Sequence, residues 1–134
     1  MRGFDQAKAF IKSKIRSEKS IGNYAEDFAE RFLNNKGYKI LERNFSTKYG
    51  EIDIIAQKDE YIVFVEVKFR KNNDFGGGAE AIDFRKQERI KKTSQIYLQK
   101  KKISSFVRFD VVLITSDKNR ISKDNVEVIE DAFQ

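Results

Sequence analysis

A chain of 134 residues, 40% of them hydrophobic, suits one domain with a real core. It has no Cys and no His, which excludes zinc sites of the usual kind, Ser-His and Cys-His nucleophiles, and any mechanism that needs an imidazole base. With 27 Lys and Arg against 21 Asp and Glu the net charge is +6, in keeping with a polyanionic partner such as nucleic acid.

Residues Asp5 to Lys19 read as a basic, weakly amphipathic helix, with Phe4, Ala7, Ile11 and Ile15 at helical spacing and Lys8, Lys12, Arg16 and Lys19 around them. A second helix is predicted from Ile21 to Asn35, with Ser20 as N-cap and Gly37 just past the C-terminus; the two could also be one long helix. Its core stripe is Ile21, Ala25, Phe28, Ala29, Phe32 and Leu33. Glu26 falls on the flank of that stripe, whereas Asp27 and Glu30 point further away. A flank Glu is either solvated or leans over a neighbouring sheet.

A strand, GYKIL at Gly37 to Leu41, and the pair Arg43-Asn44 precede two segments of opposite character. GEIDIIA, Gly50 to Ala56, alternates, with Ile52 and Ile54 on one face and Glu51, Asp53 and Ile55 on the other. IVFVEVK, Ile62 to Lys68, is apolar on both faces until Glu66, the pattern of a central strand. The polar run Gln57 to Glu60 reads as a tight turn, so the two segments form a hairpin. If Ala56 faces Tyr61, Asp53 and Glu66 are diagonal neighbours roughly 7–8 Å apart at the backbone. A two-residue shift opposes them directly, at about 5 Å, and a one-residue shift puts them on opposite faces.

After Lys68 comes a segment, Asn72 to Gly78, with three consecutive glycines after Phe75, either a mobile cover for a site or a plain connector. A helix follows from its N-cap Asp83 to about Lys101, with Lys86, Ile90 and Tyr97 on one face, so Lys86 can reach toward the sheet. FVRFDVVLI, Phe106 to Ile114, is a further strand and VEVI, Val126 to Ile129, a short last one. The order α, β, β, β, α, β, β gives an α/β fold with a mixed central sheet flanked by helices. No apolar run is long enough to cross a membrane or to act as a signal peptide, so no membrane partner and a cytoplasmic location are expected.

Charge entering a covered strand is expensive unless it is paired or bound to metal, which sets Asp53, Glu66 and Lys68 apart from a merely solvated sheet face. Hard oxygen ligands suit Mg²⁺ or Mn²⁺, cations that commonly work on phosphate. Lys68, Arg70 and Lys71, with Arg85, Lys86, Arg89, Lys91 and Lys92 on the next helix, bracket the acidic pair with positive charge that would hold a phosphate backbone.

These residues resemble a family. Asp53, Glu66 and Lys68 occupy the three places of the D…(D/E)XK pattern of restriction-endonuclease-like nucleases, with Ile52 where the wider PD-(D/E)XK superfamily has its non-ligating proline. More closely, the chain resembles the bacterial YraN-like family of nucleases known by their predicted fold. That likeness runs through Gly22, Glu26, Ala29, Leu33, Gly37-Tyr38, Arg43-Asn44, GEIDIIA, VFVEVK, Phe75-Gly76, Glu80-Ala81, Lys86, RFDVV and Ala132-Phe133. It implies a restriction-endonuclease-like core similar to archaeal Holliday-junction resolvases, spanning residues 21–134 behind a basic N-terminal helical extension, residues 1–20.

The implied activity is Mg²⁺-dependent hydrolysis of DNA phosphodiesters, selective for branched or junction DNA. Asp53, Glu66 and the Val67 carbonyl would hold the metal, Glu26 would help directly or through water, and Lys68 would orient the nucleophile and stabilise the charge that develops on phosphorus. Arg43, Arg70, Lys86 and Arg89 are the candidate contacts to the nucleic acid, and a homodimer would allow symmetric cutting. The rival expectation is a non-catalytic nucleic-acid-binding module that keeps the fold alone.

Overall fold

The computed structural model describes residues 18–71, 82–116 and 125–134. Within them the elements are α1 (Glu18–Asn35), β1 (Lys39–Thr47), β2 (Gly50–Lys58), β3 (Tyr61–Lys71), α2 (Phe84–Lys101), β4 (Phe106–Ser116) and β5 (Val126–Phe133), in the order and class the sequence implies. Most of the basic helix expected over Asp5 to Lys19, and the glycine segment at Asn72 to Gly78, lie outside the described residues. Among the described residues no helix is long and apolar enough to cross a membrane.

Helix α1 already includes Ser20, so that residue is not the N-cap. The helix buries Tyr24, Ala25, Phe28, Ala29 and Leu33 against the sheet; Phe32 is only partly covered, and Tyr24 joins a stripe that the sequence had placed without it. Its end follows the glycine rule. Tyr38 N–H donates to Leu33 O at 3.0 Å and Gly37 N–H to Asn34 O at 3.1 Å, with Gly37 at φ +91°, the paired bonds of a Schellman motif. Lys58 Nζ donates to Lys36 O at 2.8 Å and covers another terminal carbonyl. An added Cβ at Gly37 would lie 2.9 Å from that ammonium, which can swing away, so strain at positive φ decides the cost. Gly37→Ala is expected to destabilise by about 1–2 kcal/mol, seen as a fall in melting temperature with an unchanged helical signal.

The sheet runs β1-β2-β3-β4-β5, antiparallel throughout except for the parallel β3–β4 pair. A parallel pair needs a long crossover, and α2 lies within that connection. Helix α1 packs on one face with Ile54, Ala56, Val63, Val65, Val112 and Ile114. Ile90 and Tyr97 of α2 pack on the other with Phe45, Ile52, Ile55, Ile62 and Phe64, where the Tyr97 ring meets Phe45 edge-on at 5.1 Å. Strand β3 is thus covered on both sides, as its apolar run predicts.

Two expectations about the hairpin are corrected. Gln57 and Lys58 pair with Ile62 and Tyr61, leaving only Asp59 and Glu60 as the turn, with Asp59 in the left-handed region at φ +53°. Asp is one of the few residues that tolerate this conformation. The shorter turn moves the register by two residues from the Ala56–Tyr61 pairing. Nor do Ile52 and Ile54 share a face: Ile52 joins the α2 layer and Ile54 the α1 layer. The change of face coincides with an irregular backbone in β1, where Asn44, between the pairs Arg43–Ile54 and Phe45–Ile52, adopts φ +54°.

Far along the sheet, Asp110 of β4 is fully buried and fully satisfied. It accepts two bonds from Arg108 at 2.9 Å, one from the Tyr38 hydroxyl at 2.9 Å and one from Asp131 N–H at 3.0 Å. Burial, then the charge of Asp110, raises the Tyr38 phenol above its usual range, so it stays a neutral donor. This network ties Tyr38, just before β1, to β4 and β5.

Candidate active site

The kink at Asn44 sits beside Asp53, and the site is built around that irregularity. Backbone pairing in the hairpin ends at Ile54–Val65, and the next residues on the two strands, Asp53 and Glu66, line the same clefts. Val67 N–H donates to Asp53 Oδ2 at 2.8 Å in place of a ladder bond. Glu66 is 5% exposed, and its carboxylate forms an ion pair with Lys86 from the first turn of α2. Asp83 fixes that turn by accepting Lys86 N–H at 2.8 Å.

Burial, and next the charge of Glu66, push the Asp53 carboxyl up to about 8; the Val67 N–H acts the other way. Two carboxylates this close in a covered strand cannot both ionise without a compensating cation. Lys86 supplies one such charge from one side.

Glu26 reaches the same region from α1. A cleft of about 250 Å³ is lined by Glu26, Asp53, Glu66, Val67, Lys68 and Lys86 among others, so the acidic pair, the lysine of EVK and the helical carboxylate share one space. Glu26 is held on its other side: Arg43 bonds it at 3.4 Å, and the Asn44 amide, with its nitrogen turned toward the acids, lies 2.9 Å from Glu26 and 3.2 Å from Glu51. Burial raises the Glu26 carboxyl above its ordinary range, partly offset by Arg43.

The nucleic-acid candidates divide. Arg43 does not stand free toward solvent; it is engaged by Glu26, Asp27 and Glu30 at once. Asp27 and Glu30 do point further out than Glu26, and the long Arg43 side chain reaches both from the rim. Lys86 is bound to Glu66 and lines the cleft. Arg89 lines a second, adjoining cleft of about 510 Å³, bordered by Thr47, Lys48, Tyr49, Gly50, Asp53, Glu66 and Lys86 as well. Arg70 lies on β3 outside both linings. The sequence reading passed over Lys48 and Tyr49, although an aromatic residue in a polar turn, KYG, was the available signal.

The donor set fits a small hard cation. Among the described residues no three acidic side chains come together tightly enough to hold a metal unaided. Mg²⁺, however, is commonly bound by one or two carboxylates and completes its shell with water and substrate phosphate. Asp53 and Glu66 would supply such a pair, and Lys86 already sets a positive charge against Glu66.

The family model described as Uncharacterised protein family UPF0102 matches residues 25–114, which contain every residue of the two clefts. A UPF0102 protein of Dictyoglomus turgidum is 44% identical over 119 residues, covering 87% of this chain and 99% of the relative. One from Clostridium botulinum, strain Loch Maree, is 48% identical over the same length, covering 87% and 95%. A third, from Dictyoglomus thermophilum, is 48% identical over 104 residues, covering 77% and 88%.

Proposed function

The chain belongs to the UPF0102 (YraN-like) family, and from its acidic cleft we propose that it is a divalent-metal-dependent endonuclease hydrolysing DNA phosphodiesters. The observation that supports this reading is the convergence of Asp53 and Glu66 in a space shared with Lys68 and Lys86. Two carboxyl groups held together in a covered strand are costly for a scaffold and useful for cation chemistry.

In this reading Asp53, Glu66 and the Val67 carbonyl hold Mg²⁺ or Mn²⁺. The ion supplies Lewis acidity toward the scissile phosphate and a lowered pKa for the attacking water. Lys68 places a positive charge beside the reacting phosphorus and orients the nucleophile. Glu26, anchored by Arg43 and Asn44, acts at one remove through water. Lys86 and Arg89 meet the phosphate backbone, and Arg43 positions Glu26 instead of touching DNA.

A domain this small leaves little surface for reading base edges, which favours recognition of branched DNA by shape and backbone. Paired cuts across a symmetric junction require a homodimer, which sedimentation with and without DNA would reveal. The deciding assay sets linear, flapped and four-way DNA with Mg²⁺ or Mn²⁺ against the parent protein and Glu66→Ala. Cleavage by the parent alone is expected. DNA binding that is indifferent to metal, with no cleavage of any substrate, would overturn the reading in favour of a non-catalytic binding module.

A further inference from the structure

The larger cleft has a feature that phosphate chemistry does not use. Tyr49, at the tip of the β1–β2 turn, is 38% exposed. The ammonium of Lys48 lies 5.2 Å from its ring centroid and that of Lys92, from α2, 5.1 Å. An exposed aromatic ring between two lysines carries an apolar face and positive charge at one spot, the combination that holds a nucleobase and its phosphate together.

This platform is fixed. Thr47 Oγ1 accepts Tyr49 N–H at 3.1 Å and lies 3.1 Å from Thr93 Oγ1 of α2, which pins the turn to the helix. Gly50 permits the approach, since a Cβ there would lie 3.3 Å from Arg89 Cβ. A ring whose backbone is already ordered gives up little conformational entropy when a base stacks on it.

The platform also faces the right way along the fold. Tyr49 lines the cleft that Asp53 and Glu66 close at its inner end, with Arg89 and Lys86 on the α2 wall. From Gly50 to Asp53 is three residues of strand, roughly 10 Å, a distance that a short run of nucleotides spans.

We infer that Tyr49 is a stacking subsite for an unpaired base, so that the strand entering the acidic cleft does so single-stranded, with Lys48, Lys92 and Arg89 on its phosphates. A base taking one face of the ring displaces one lysine, whose ammonium then reaches the adjacent phosphate. Bases inside a duplex present no free face to the ring, and the subsite therefore selects flaps, frayed ends and the open centres of junctions. The inference rests on the nuclease reading for the position of the scissile bond, but its test reads binding and not turnover.

The experiment is fluorescence anisotropy in EDTA, with a labelled oligothymidylate and a blunt duplex of equal length as probes, on the full chain and on Tyr49→Ala and Tyr49→Phe. Tyr49→Ala is expected to weaken binding of the single strand by about tenfold, the loss of one stacked base, and to leave duplex binding and the melting temperature unchanged. Tyr49→Phe, which keeps the ring, should bind as the parent does. Equal binding of the single strand by Tyr49→Ala and the parent, no single-strand binding by the parent, a parallel loss on the duplex, or a loss in Tyr49→Phe would each overturn the inference. Retained Tyr49-dependent binding without cleavage in the substrate panel would instead defeat the nuclease reading and leave the subsite standing.

Discussion

Asp53→Asn is expected to lower cleavage on the order of a thousandfold while making the metal-free protein more stable at neutral pH and above. The two effects have one cause. Burial and the neighbouring charge of Glu66 raise the Asp53 carboxyl to about 8 from an ordinary value of 3.8, so the folded protein retains a proton that the unfolded chain has released. The folded state binds the extra proton between those two values, and stability therefore falls as pH rises through that window. The contribution is fully present below the unfolded value and lost once pH passes about 8. Its size is on the order of a few kcal/mol. Asn carries no charge, and its amide oxygen can still accept the Val67 N–H, so the variant loses the titration and keeps the local bond. Thermal melts from about pH 5 to 9 in EDTA should show a falling trend for the parent and a flatter one for Asp53→Asn. Added Mg²⁺ should raise the parent's melting temperature at the alkaline end and leave the variant's unchanged. Parallel pH slopes for the two proteins would contradict this account.

The class of the fold and the covered central strand β3 were both legible, because a continuous apolar run is a local signal that tertiary packing here obeys. The register was not. Gln57 and Lys58 are polar in a strand because the side chains of an edge-proximal hairpin end can serve other elements; Lys58 reaches Lys36 O and lies 5.5 Å from the Tyr38 ring. Polarity alone therefore misplaced the turn. Arg43 shows a different limit: a basic residue near an acidic site looks like a phosphate contact until the helix carrying Glu26, Asp27 and Glu30 is laid beside it. Only the fold brings together charges that are 13 to 17 residues apart.

Asp110 shows why charge in a covered strand does not by itself identify a site. Asp110, in RFDVV, is a charge in a covered strand just as Glu66 is, yet it accepts four bonds and needs nothing more. Among the described residues, Asp53 accepts the Val67 N–H and meets Glu66, and Glu66 pairs with Lys86, which is itself half-exposed. Among the described residues, incomplete satisfaction, rather than burial, separates the candidate site from the structural network, and it emerges only with the fold.

That incomplete pairing makes Lys86 the residue whose removal has the most informative sign. Lys86→Ala leaves Glu66, 5% exposed, uncompensated beside Asp53, whereas Lys86 itself is 43% exposed. A fully buried broken pair costs about 3–5 kcal/mol, and exposure of the lysine reduces this to about 2 kcal/mol. An opposing effect is smaller: α2 has no acidic residue in its first turn, so a cation there meets the positive end of the helix dipole, and removing it returns about 0.5 kcal/mol. The net expectation in EDTA is a melting temperature lower by several degrees. With saturating Mg²⁺ the ion takes over the compensation of Glu66, the dipole gain remains, and the deficit should vanish or reverse. Loss of the competing ammonium should also tighten Mg²⁺ binding in calorimetry, even as cleavage weakens through a lost phosphate contact. Lys86→Arg, which preserves the charge, should behave as the parent in EDTA. A deficit of equal size with and without Mg²⁺ would mean that Lys86 serves packing alone and that the acidic pair attracts no divalent ion.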